Sequence, residues 1–232
     1  MLRDLLVHVS GEYGRQRLGF ATELAMQTGA RLTGLHVIPP AEISPRYKPS
    51  QVASAVTRFA AALTADADAG KASFEEMTAN RLSDARWIEA KGDVAQGICI
   101  RARLADLVIV GRDEWQDPPE THPFPIAHSG VLQCGRPVMV VPDGTLSPVF
   151  TKVGVAWDGS REAVRAVHDA IPMLKSAKSV DLISVIKPTE SSSDVNINDL
   201  AAHLTHHGIS IKAKVECGVG SQEHNRLQRI ID

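Results

Sequence analysis

The chain begins the same way twice. Asp4-Leu5-Leu6-Val7-His8-Val9-Ser10-Gly11-Glu12 opens the first half, and Lys152-Val153-Gly154-Val155-Ala156-Trp157-Asp158-Gly159-Ser160 opens the second. Each is a short apolar run that ends in a small or acidic residue and a glycine, then passes into a helical pattern. An internal repeat of this length implies two copies of one plan, and unequal copies imply unequal roles.

In the first copy, residues 5–9 read as a strand and 14–28 as a helix with Leu18, Ala21, Leu24 and Ala25 on one face, closed by Gly29. Residues 31–38 form a second strand, stopped by Pro39-Pro40. An Ala-rich helix covers roughly residues 51–78, with Gly70 a candidate break. Residues 85–89 are a third strand, and Gly92-Asp93 start a helix that reaches Arg103. Leu107-Val108-Ile109-Val110-Gly111 is apolar without interruption, as a central parallel strand buried on both faces requires. A polar loop, a short helix and a strand over 137–141 complete the copy. Strands that alternate with helices specify an open α/β sheet.

Residues 143–151 read as a linker between a domain over 1–143 and a second over 152–232. The second copy offers strands at 153–157, 180–186 and 209–216, with helices between. Gly218 takes the place of Gly92, residues 222–231 that of the following helix, and Asp232 that of Asp106. The expectation is a second sheet truncated after its third helix.

The formal charge of −2 over 232 residues gives no electrostatic reason to expect nucleic acid or an anionic membrane surface as a partner. No stretch approaches the roughly 20 apolar residues that span a bilayer, and Met1-Leu2-Arg3-Asp4 enters a strand with no apolar leader. A cytoplasmic location is the expectation. Cys99, Cys134 and Cys217 are widely spaced and odd in number, which favours reduced thiols over disulfides or a zinc knuckle.

Three stretches carry a resemblance: Val155-Ala156-Trp157-Asp158-Gly159-Ser160, Ala105-Asp106-Leu107-Val108-Ile109-Val110-Gly111, and Gly135-Arg136-Pro137-Val138-Met139-Val140-Val141-Pro142. Together, in order and twice begun, they resemble a tandem universal stress protein over nearly all residues. The resemblance implies two flavodoxin-like (Rossmann-like) open parallel sheets, strand order 3-2-1-4-5, the second copy incomplete. It also implies a role in the stress response, ATP binding in many members, and pairing through the last strand, here Val138-Met139-Val140-Val141.

The family's phosphate loop is a glycine, two residues, a second glycine, nine residues and a Gly-Ser or Gly-Thr pair, which brings backbone N–H groups against phosphate at a helix start. Gly111 fits the first position, but Glu114 and Phe124 hold the next two, and Ser129-Gly130 is reversed. Asp113, Glu114, Asp117 and Glu120 add negative charge where a triphosphate would lie. The first copy therefore reads as degenerate for ATP, with Ser10 at the position of the family's base-side Asp and Val37 on the second strand. The second copy matches better, with Ala156, Trp157, Asp158 and Val185 as the residues that would bind a cofactor. Asp158 can accept from an adenine amine or a ribose hydroxyl. It can equally be an ordinary helix-entry residue before Ser160.

His203, His206 and His207 share a helix face, and a solvated His-rich face is preferred to a metal site. Ser10, His8 and His36 lack an activating carboxylate for acyl transfer, and Cys134 reads as a packing residue. The reading is a non-catalytic cytoplasmic stress-response protein that acts through self-association or a partner protein, with no catalytic residues and no metal. Its alternative is a nucleotide-binding switch that uses the pocket near Asp158, with ATP the candidate ligand.

Overall fold

Apolar runs too short for helices, each bounded by glycine, proline or a polar residue, become the strands. The computed structural model describes residues 2–11, 13–40, 49–112, 126–145, 147–186 and 197–218. The chain divides into two compact units, Met1–Pro148 and Val149–Asp232, and the division falls inside the segment 143–151.

The first unit runs β1 (Asp4–His8), α1 (Gly14–Thr28), β2 (Arg31–Ile38), α2 (Pro49–Thr78), β3 (Ala85–Lys91), α3 (Val94–Ala102), β4 (Leu107–Gly111), α4 (Ile126–Gln133) and β5 (Val138–Val141). The five strands are parallel and lie in the order β3-β2-β1-β4-β5. β4 is the inner strand its apolar run predicts, with Leu107 to Val110 buried. Asp106, just before it, accepts the backbone N–H of Arg3 at 2.7 Å and of Asp4 at 3.1 Å, which sets the start of β1 beside the start of β4. Leu6, Leu35, Val108 and Val110 form one core face with Ile98, Cys99 and Ala102 of α3.

Helix ends follow local chemistry. Gly29 closes α1 in the left-handed region at φ 66°, with its N–H given to the Ala25 carbonyl. Asp93 opens α3 by accepting the Gln96 N–H at 2.7 Å. α2 passes through Gly70 without a break, contrary to the candidate break there. A Cβ at Gly70 would stand 3.2 Å from Trp87 of β3, so this glycine serves close packing of helix on sheet.

The second unit runs β6 (Lys152–Trp157), α5 (Arg161–Leu174), β7 (Ser179–Ile186), α6 (Ile197–His206) and β8 (Ile211–Gly218). Its three described strands are parallel, in the order β6-β7-β8. Both helices pack on one face, where Val155, Trp157, Val167, Leu182, Leu200 and Leu204 form a core. Successive right-handed crossovers that step the same way across a sheet put their helices on the same side. β8 starts two residues later than the pattern over 209–216 suggests. Gly208 turns at φ 79° and Ile209 gives its N–H back to the Leu204 carbonyl, so Ile209 belongs to the helix terminator. The predicted helix over 222–231 lies outside the described residues.

Candidate functional site

An open α/β sheet binds ligands where neighbouring strands send their connections in opposite directions. In the first unit that place is the carboxyl end of β1 and β4: β1 connects toward β2, and β4 toward β5. The residues there are His8, Val9, Ser10 and Gly111, the last at the position where the family's phosphate loop begins. Asp113 to Phe124 lie outside the described residues, as does the side chain of Ser129.

A residue that no sequence motif marks lies at this crevice. Arg17 of α1 is buried, 7% exposed. Its Nε donates to the His8 carbonyl at 2.7 Å and its Nη2 to the Ser10 carbonyl at 3.1 Å. Its Nη1 lies so close to Gly111 that any side chain at that position would overlap it. Gly111 thus serves close approach, but to the protein's own guanidinium. Burial pulls the Arg17 pKa down and the charge of Asp143 opposes that shift. An arginine stays protonated even so, and the carbonyls at the end of β1 stand in for water around it. In sequence Arg17 looks like one more polar position on an amphipathic helix, and only the tertiary approach of α1 to β4 reveals it.

Two imidazoles lie beside it. His36 Nδ1 is 2.8 Å from the Val9 carbonyl. That oxygen only accepts, so Nδ1 carries the proton. The Nε2 atoms of His8 and His36 are buried with no hydrogen-bond partner among the described residues. His36 stacks on Trp87 with centroids 6.5 Å apart. The His8 pKa is lowered to about 3, chiefly by burial and then by the neighbouring Arg17 guanidinium and the His36 ring. His8 is therefore neutral at physiological pH. Its neighbour Ser10 contributes a carbonyl to Arg17, and His36 a proton to the backbone, so the three are tied into the end of β1. Cys99 and Cys134 belong to the core, where burial pushes the Cys99 thiol up, and Cys134 donates to the Arg136 carbonyl at 3.2 Å.

In the second unit the four predicted cofactor residues are placed differently from one another. β6 alternates, so Trp157 is buried on the helix-covered face and Ala156 is exposed on the other. Asp158 is exposed just past the strand, and its Oδ1 accepts the Ser160 N–H at 2.9 Å. Ser160 in turn caps α5, accepting the Ala163 N–H at 3.1 Å. Val185 pairs in register with Cys217, and its side chain lies outside the described residues. Asp158 therefore performs the helix-entry role at least.

The histidine face acquires a fourth member in space. His168 of α5 lies with its ring centroid 5.2 Å from that of His203, and His203 lies 4.7 Å from His207. Among the described residues no three His, Cys, Asp or Glu are arranged to hold a metal ion. None of the described helices is long and apolar enough to cross a membrane.

The sequence pattern of the universal stress protein family matches residues 1–142. No curated protein matches the sequence. Among solved structures, a universal stress protein from Archaeoglobus fulgidus superposes with a TM-score of 0.67 at 14% identity, covering 98% of this chain and 82% of that one. A putative universal stress protein from Pseudomonas aeruginosa superposes at 0.52 and 16% identity, covering 99% of this chain and 80% of that one. A universal stress protein solved in complex with cAMP is more remote, at a TM-score of 0.40 and 15% identity over 60% of this chain and 97% of its own. With its five-stranded sheet in the order 3-2-1-4-5 and a family match over more than half its length, the chain belongs to the universal stress protein family.

Proposed function

We propose that this chain is a non-catalytic stress-response protein that works by association, with a second copy of itself or with a partner protein. The observation that carries the reading is Arg17. At the end of β1 and β4, where an open α/β sheet takes up a ligand, the Arg17 guanidinium bonds the carbonyls that end β1 and lies against Gly111. A nucleotide would have to expel a buried, hydrogen-bonded charge, which disfavours binding there. A feature of the unit suited to a partner is the edge strand β5, which pairs with β4 on one side and exposes Val140. An edge strand offers unpaired backbone groups to another strand.

Light scattering on the whole chain across a concentration series tests this. Self-association that Val140→Lys weakens supports pairing through β5. A monomer that captures no partner through that strand, or an assembly indifferent to Val140→Lys, counts against it.

The second reading is a nucleotide-binding switch in the second unit, favoured by the exposed Asp158 at the carboxyl end of β6 beside a capped helix start. A thermal shift with ATP and magnesium that Asp158→Ala abolishes would move that reading to first place. A shift that needs Arg17→Ala to appear would instead locate binding in the first unit and identify Arg17 as its barrier.

A further inference from the structure

The strongest unassigned feature is a pocket of about 230 Å³ in the second unit, lined by Trp157, Val164 and Val167, by Leu200, and at its polar edge by His168, Asp199 and His203. It lies between α5 and α6, against the end of β6. Its size exceeds the roughly 150 Å³ of an engineered apolar cavity known to take up benzene, and falls below the roughly 300 Å³ at which drug-sized sites begin. One ring with a small substituent is the natural occupant.

Two of the lining side chains carry polar atoms left unbonded among the described residues. The Trp157 indole N–H and the His203 Nε2 are both buried without a hydrogen-bond partner among the described residues. A buried donor left unmade is costly, and native proteins keep few of them. The rim is aromatic as well: the rings of His168 and His203 lie with centroids 5.2 Å apart, and His207 backs His203 at 4.7 Å. His168 Nδ1 is tied to the Val164 carbonyl at 3.0 Å, which fixes that ring against the pocket wall. Offset and edge-to-face contacts with such rings favour a flat aromatic ligand over an aliphatic one. The exposed carboxylate of Asp199 at the edge disfavours an anion.

We propose that this pocket binds a small uncharged aromatic molecule bearing a hydroxyl or carbonyl oxygen, held by the Trp157 indole N–H within walls formed by Val164, Val167 and Leu200. A hydroxyl suits the site best, because it accepts from the indole and can also donate to an imidazole nitrogen. The site lies on the helix-covered face of β6, on which Trp157 is buried, and is not the crevice of the first unit.

The test uses the intact chain and three probes of one size: phenol, toluene and benzylamine. Saturation-transfer NMR with a titration should show phenol binding in the millimolar range or tighter, ahead of toluene and benzylamine. Val164→Trp fills the mouth from a partly exposed position, where folding is least disturbed, and should weaken phenol by about tenfold or more. Trp157→Phe keeps a ring in the wall but removes the N–H, and should erase the preference for phenol over toluene. Circular dichroism confirms that both variants fold. Phenol bound no better than toluene overturns the proposal, as does tighter binding of benzylamine or affinity unchanged in both variants.

Discussion

At the scale of single residues, the decisive group is a charge that the fold has taken out of water. Arg17 retains its proton, so the chain must supply what the solvent no longer does, and the carbonyls of His8 and Ser10 do so. Arg17→Met keeps the stem and removes the donors. With hydrogen bonds to a charged group contributing roughly 1.5–3 kcal/mol, a loss of that order in urea unfolding is expected. His8 next to it carries a pH dependence of definite sign. Its folded pKa of about 3 lies below the ordinary 6.5, so the unfolded chain takes up this proton first. Its stabilising share is complete above pH 6.5 and is lost as the pH falls toward 3. Near pH 5 the loss amounts to about 2 kcal/mol, at 1.36 kcal/mol per unit. Urea midpoints between pH 7 and 5 should fall in the parent chain and fall less in His8→Leu. Equal slopes would show that His8 titrates normally. None of this was legible in the sequence, because a lone Arg on a helix and a lone His on a strand have several ordinary explanations each.

At the scale of elements, much more was legible. The uninterrupted apolar run marked β4 as buried on both faces, and the glycine after α1 marked the end of that helix. What escaped were glycines whose reason is a neighbour distant in sequence. Gly70 looked like a break and is a contact with Trp87. Gly34 of β2 is tighter still: a Cβ there would come within 2.6 Å of Phe74 and 2.8 Å of Trp87, the pair that locks α2 onto β3. Gly34→Ala should therefore destabilise the first unit by about 1–3 kcal/mol through overpacking, although Ala is otherwise the better residue outside a turn. A variant as stable as the parent would show that the Phe74 ring swings aside freely. The second unit's candidate residues were legible as a string, Ala156-Trp157-Asp158, but the pleat sends the first two to opposite faces. That division turns Trp157 from a cofactor residue of the sheet end into a wall of the pocket between α5 and α6.

At the scale of the whole molecule, the two beginnings in the sequence become two compact units, and among the described residues each has a core cluster of its own. Leu35 lies with α3 and β4 in the first, and Leu182 lies with α5 and α6 in the second; each is fully buried. A duplicated chain built this way should lose its halves separately, because a cooperative transition extends only as far as the packing that couples it. Removing the leucine side chain from either core takes away roughly 2–5 kcal/mol, enough to move a melting transition by many degrees in units of this size. Scanning calorimetry of the full chain should then resolve two transitions, with Leu35→Ala lowering one and Leu182→Ala the other. Benzene-sized ligands of the second unit should raise only the transition that Leu182→Ala lowers, since a ligand stabilises the unit it binds. If both substitutions move a single transition by the same amount, the duplication has been fused into one cooperative body, and the unequal roles assigned to the halves would have to be argued as properties of the pair.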